Sequence, residues 1–138
     1  MASRREKYPD TKTFTYYNAN PKDKITGDCV VRAICTALGK PYEDVYRELL
    51  ELCLSTGYSI ASKENYSKYL EINGWAKMKQ PRKANNKKYT GKEFCKKHNE
   101  TCVANIGGHH VVCIKNGKVH DIWDSTDGCI GNYWVKEV

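Results

Sequence analysis

Apolar residues recur at helical spacing up to about Asn99 and then give way to short β-rich runs, so the chain reads as helices followed by a sheet. From Asp28 the helical pattern is broad. Cys29, Ala33 and Ala37 fall on one stripe, Val30, Ile34 and Leu38 on the next, and Gly39 ends the run. A helix apolar over so much of its surface belongs in the core. Pro41 suits the first turn of a second helix, amphipathic, that carries Val45, Tyr46, Leu49, Leu50 and Cys53. A third is predicted from Ser62 to Asn73, with Tyr66, Tyr69 and Leu70 on one side and Gly74 as its C-terminal cap. Thr90-Gly91-Lys92-Glu93 has capping-box spacing and opens a short helix through His98 that buries Phe94.

Strand patterns are shorter. Thr13 to Tyr17 predicts one near the N-terminus, broken by Asn18-Ala19-Asn20-Pro21. Between Lys77 and Lys88 apolar residues nearly vanish, which predicts an exposed connection. Beyond Asn99 the runs Cys102–Ile106, His110–Ile114 and Lys118–Trp123 read as strands, with Asn116-Gly117 as a tight hairpin turn between the last two. Ile130 to Val135 adds a final strand. Helices first and an antiparallel sheet afterwards is the α+β order. At 138 residues the expectation is a basic N-terminal arm over 1–12 and a single domain over 13–138.

Composition narrows the class. No apolar run approaches the roughly 20 residues that cross a bilayer, and the polar start Met1-Ala2-Ser3-Arg4-Arg5-Glu6-Lys7 does not resemble a secretory signal. A cytoplasmic protein with no membrane partner is the expectation. Seven cysteines cannot all pair within one chain, and no CxxC spacing occurs, so reduced thiols are expected. The net charge of +7 is local: nine basic residues from Lys77 to Lys97 face one acid, Glu93, and the rest of the chain is nearly neutral. Such a stretch is either a solvated face or a grip for an acidic protein or nucleic acid, and no nucleic-acid-binding signature accompanies it.

Three residues carry candidate chemistry. Cys29 sits where a helix starts, and unpaired N–H groups and the helix dipole there stabilise a thiolate and an oxyanion. His110 begins an apolar strand after Gly107-Gly108. Pairing around Asn116-Gly117 sets Lys115 against Lys118 and Ile114 against Val119, and brings the far end of the next strand back towards His110. Asp124 is preferred as the carboxylate that orients the imidazole, over Asp121, which lies opposite about Val112. His109 points to the other face from its neighbour, and His98 and His120 read as surface or packing residues.

Asp28-Cys29 opening an apolar helix, Gly108-His109-His110-Val111-Val112 opening a strand and Trp123-Asp124-Ser125 ending the next resemble the Cys, His, Asp/Asn order of papain-like cysteine peptidases. The likeness is to the C39-like peptidases and small phage-associated or bacterial relatives, and spans roughly Tyr16 to Trp134. It implies a papain-like fold, with N-terminal helices on a C-terminal antiparallel sheet. It also implies a hydrolase for a peptide or protein substrate, with Cys29 as nucleophile, His110 as base and acid, and Asp124 as orienting carboxylate. The chain departs from that family at Asp23, six residues before the cysteine, where papain-like enzymes usually carry an oxyanion-binding Gln. Asn18, Asn20, Lys24 or the backbone N–H of Cys29 are the substitutes. Two other readings stand beside this one: a papain-like binding module using the Lys-rich 77–97 segment, and a metal site from Cys29, His110 and Asp124, which lack the local spacing of structural zinc ligands. The reading calls for no cofactor or metal.

Overall fold

The apolar run from Cys29 to Leu38 forms a helix, α2, closed by Gly39 in the left-handed region at φ +69°, and this helix lies against a six-stranded sheet. The computed structural model describes residues 2–137. Along the chain come α1 (Arg4–Lys7), β1 (Phe14–Tyr16), α2, α3 (Tyr42–Thr56), α4 (Lys63–Ile72), β2 (Trp75–Met78), α5 (Gly91–Lys97), β3 (Cys102–Ile106), β4 (His110–Lys115), β5 (Lys118–Asp121) and β6 (Ile130–Lys136). The strand order is β1-β5-β4-β3-β6-β2. No described helix is long and apolar enough to cross a membrane.

The fold is α+β, but the sheet is neither wholly antiparallel nor wholly C-terminal. β1 runs parallel to β5, Phe14 beside Val119 and Tyr16 beside Asp121, while the other pairings are antiparallel. β1 closes the open edge of the β4–β5 hairpin by burying Phe14 completely and accepting a hydrogen bond from the Val119 N–H at the carbonyl of Thr13, 2.8 Å. The other correction is β2, a strand that the sequence pattern does not predict and whose last two residues, Lys77 and Met78, overlap the start of the stretch expected to be an exposed connection. Gly74, at φ +82°, turns the chain from α4 straight into this edge strand, where Trp75 alone is well buried and Lys77 and Met78 face solvent. One buried side chain in four residues is too weak an alternation to read against the surrounding lysines.

The central strands are apolar at successive positions because both faces of the sheet are covered. Val103, Val111, Cys113 and Trp134 pack with Ile34, Val45, Leu49 and Leu70 of α2, α3 and α4. Ala104, Ile106, Val112 and Ile114 pack on the other side with Phe14, Phe94 and Ile130. The capping box at Thr90 and Glu93 starts α5 as the spacing predicts. Its first residue must be glycine: a Cβ on Gly91 would stand 2.8 Å from Ile106 Cδ1 and 2.9 Å from the Thr126 backbone. In the N-terminal arm, Arg4 Nε donates to the Ile122 carbonyl at 2.7 Å, and Arg5 lies over the Tyr16 ring.

Candidate active site

Three element ends meet at the site. Cys29 is the first residue of α2, His110 the first of β4 and Asp121 the last of β5. His110 Nε2 lies 2.5 Å from Asp121 Oδ2, which leaves Nδ1 free, and the Cys29 thiol is near enough for thiol and imidazole to shift one another's titration. Cys29 and His110, expected from the sequence to meet, are thus brought to one place. The carboxylate is different.

Asp124 does not reach the imidazole; its Oδ1 accepts from the Thr126 N–H at 2.9 Å and from Thr126 Oγ1 at 2.5 Å, fixing the turn after β5. The reason is where the ladder ends. The β4–β5 pairing reaches Cys113 and His120, and Asp121 ends β5 close to the strand start that carries His110, whereas Asp124 lies three residues beyond β5, where the chain bends. His109 is exposed in the turn before β4, His98 stacks on Phe94 with ring centroids 4.6 Å apart, and His120 Nδ1 contacts the Lys118 carbonyl at 3.0 Å.

Behind the triad is a buried charge network that the sequence reading missed. Asp121 Oδ1 accepts from the Ile122 N–H at 2.7 Å and from Arg32 Nη1 at 2.6 Å. Arg32 Nε donates to Asp28 Oδ1 at 2.7 Å, and Asp28 Oδ2 accepts from Tyr42 Oη at 2.7 Å and Asn20 Nδ2 at 3.0 Å. Arg32, Asp28 and Asp121 are all buried. One signal was available: an arginine inside the otherwise apolar run Cys29–Leu38 must find a partner when that helix is buried, and Asp28 stands four residues before it.

Electrostatics favours charge separation between sulfur and imidazole. Burial alone would raise the Cys29 thiol, yet the hydrogen bond to His110, the N–H of Val111 and the positive charges of His110 and Arg32 outweigh it and bring the thiol below its ordinary value. Burial alone would lower His110, but hydrogen bonds to Asp121 and Cys29 and the negative charges of both push it up to about 9. Burial raises Cys35, Cys95, Cys102 and Cys113. Trp123 covers the imidazole, with ring centroids 4.9 Å apart.

The oxyanion substitutes sort themselves by their hydrogen bonds. Asn18 Nδ2 donates to Asp23 Oδ1 at 3.2 Å and to the Lys24 carbonyl at 3.1 Å, while Asn20 Nδ2 is held by Asp28 and Tyr42. Both amides are committed. Asp28 precedes α2 without capping it, because its carboxylate turns to Arg32, Tyr42 and Asn20, so the first-turn N–H groups of α2 have no side-chain cap. The alternative metal set loses a member with Asp124, and no group of three or more His, Cys, Asp or Glu among the described residues is arranged to hold a metal ion.

The fold and this constellation define an α+β protein with a thiol, an imidazole and a carboxylate aligned at the junction of one helix and a sheet. No family model, curated protein or solved structure matches the chain.

Proposed function

We propose that this protein is a thiol hydrolase of papain-like architecture that cleaves a peptide or isopeptide bond, with Cys29 as nucleophile, His110 as acid and base, and Asp121 as the orienting carboxylate. The observation that carries this reading is the placement of His110 between the Cys29 thiol and the Asp121 carboxylate, with the thiol lowered and the imidazole raised. A cysteine helix packed on a sheet that supplies the histidine and the acid also supports the papain-like assignment.

The reaction follows from the positions. The Cys29 thiolate attacks the carbonyl carbon of the scissile amide, and the tetrahedral oxyanion is received by N–H groups in the first turn of α2. The C–N bond breaks as His110 gives its proton to the leaving nitrogen, which departs as an amine and leaves a thioester on Cys29. His110, now neutral, removes a proton from water, the hydroxide oxygen attacks the thioester carbonyl, and the carboxylic acid leaves as the sulfur regains its electron pair. Asp121 holds the ring and stabilises the imidazolium throughout; Arg32 and the Ile122 N–H hold Asp121.

Competitive alkylation tests the assignment. With limiting iodoacetamide at mildly acidic pH, peptide mapping is expected to find Cys29 modified ahead of the other six cysteines, and His110→Ala is expected to remove that preference. Uniform labelling of accessible thiols would overturn it.

A further inference from the structure

A cavity of about 390 Å³ is lined by Asn105, Gly107, Gly108, Gly131, Lys63 and Lys88, among others. Its position relative to the thiol follows from the sheet. Asn105 is paired across the β3–β4 ladder with Val111, the residue after His110, and Gly107 and Gly108 lead through His109 into His110. Asn105 Nδ2 donates to Tyr66 Oη at 2.8 Å, and the negative charge of Cys29 is felt at that phenol.

Three features say what the cavity takes. Asn105 lines the cavity and is 7% exposed, and its Oδ1 is buried without a hydrogen-bond partner, an acceptor that wants an N–H. Glycines at 107, 108 and 131 keep the walls low, and at Gly131 a Cβ would press on Asn105 Cβ at 3.3 Å, so glycine there lets Asn105 keep its place. The charged residues on the lining are both lysines, Lys63 and Lys88, with no carboxylate among them. Lys63 is anchored by Asn132 Oδ1 at 2.5 Å and lies over the Trp134 ring at 6.0 Å, so its ammonium is held at the cavity wall.

We infer that this cavity is a substrate subsite that binds an extended peptide segment, with a backbone N–H on Asn105 Oδ1 and an acidic side chain between Lys63 and Lys88. It rests on the thiol-hydrolase reading for its role in turnover, and names the substrate class as acidic peptides or protein tails. Binding itself needs no active thiol. This separates the two in a test.

The experiment uses the full chain carrying Cys29→Ala, with ¹⁵N-labelled backbone and side-chain amides, titrated with three hexapeptides that alternate glycine with Glu, Gln or Lys. The Glu peptide is expected to shift the Asn105 side-chain amide and the Gly107, Gly108 and Gly131 N–H signals. The Gln peptide should bind about tenfold more weakly, the scale of one charge-assisted contact, and the Lys peptide weaker still. Lys63→Gln with Lys88→Gln should erase the preference for Glu over Gln while the dispersed spectrum persists. Equal affinity for the three peptides, shifts confined to other surfaces, no shifts at millimolar peptide, or a Glu preference that survives the double substitution would each overturn the subsite. Iodoacetamide labelling of the unsubstituted chain reports separately on the thiol, so loss of one reading leaves the other legible.

Discussion

Asp121 is asked to do two things with one carboxylate: Oδ2 holds the imidazole, and Oδ1 takes the Arg32 guanidinium and the Ile122 N–H. Replacing it with Asn keeps the shape and removes the charge that raises His110. Asp121→Asn is therefore expected to cut the rate of Cys29 alkylation at pH 6 by about tenfold or more, since each pKa unit is tenfold in protonation equilibrium. Asp124→Asn should leave that rate unchanged and cost about 1 kcal/mol in urea unfolding, through weaker bonds to Thr126. Equal effects of the two substitutions would contradict the triad. Cys29 and His110 were legible because each chemistry needs a particular place on an element, a helix start or a strand start. What separates Asp121 from Asp124 is the point where the ladder stops, and sequence hides that point.

At the scale of elements, α2 supplies the nucleophile, the first-turn N–H groups and the guanidinium that organises the acid, so its burial and its chemistry are coupled. Arg32→Met would leave Asp28 and Asp121 buried without their shared cation. The expected loss is about 3–5 kcal/mol, measured by urea or thermal unfolding. A substitution that is neutral in stability would show that the network contributes nothing to the fold. α5 makes a separate case. Gly91→Ala drives a methyl into the Thr126 backbone and is expected to cost about 1–3 kcal/mol, seen as a lower urea midpoint with an unchanged slope. The helices and the Asn116-Gly117 hairpin could be read because capping residues, helical stripes and positive-φ turns are local signals. β2 could not, because its membership depends on pairing with β6 across the chain, and its own residues bury little but Trp75.

For the whole molecule, the strand order is what assembles a site from distant segments. β1 and β2 precede the run of strands β3 to β6 along the chain and cap the two edges of the sheet, a mixed arrangement that no local periodicity announces. The basic stretch from Lys77 to Lys97 also looks different in three dimensions. It is spread over β2, a loop and α5, and two of its lysines are spoken for: Lys83 pairs with Glu93, and Lys92 with Asp127 at 2.7 Å. Stability should depend on pH at both ends. Asp28 lies below its ordinary value because its bonds from Tyr42, Arg32 and Asn20 outweigh burial, so its contribution is present above about pH 3.8 and is lost as pH falls through its folded value. His110 is raised, so its contribution is complete below about pH 6.5 and is lost as pH climbs through about 9. Urea midpoints measured across pH should fall on both sides, with the alkaline fall reduced in His110→Ala.

The central claim is that the imidazole of His110 is held protonated between a thiolate and a carboxylate. Following the ring Cε1–H signal of His110 by NMR from pH 4 to 11 reads this directly. Its midpoint is expected at about 9 in the intact protein and well below that in Cys29→Ala, where the thiolate is absent. A midpoint near the ordinary 6.5, indifferent to the presence of Cys29, would mean that sulfur and imidazole do not form the pair and that the catalytic assignment is wrong.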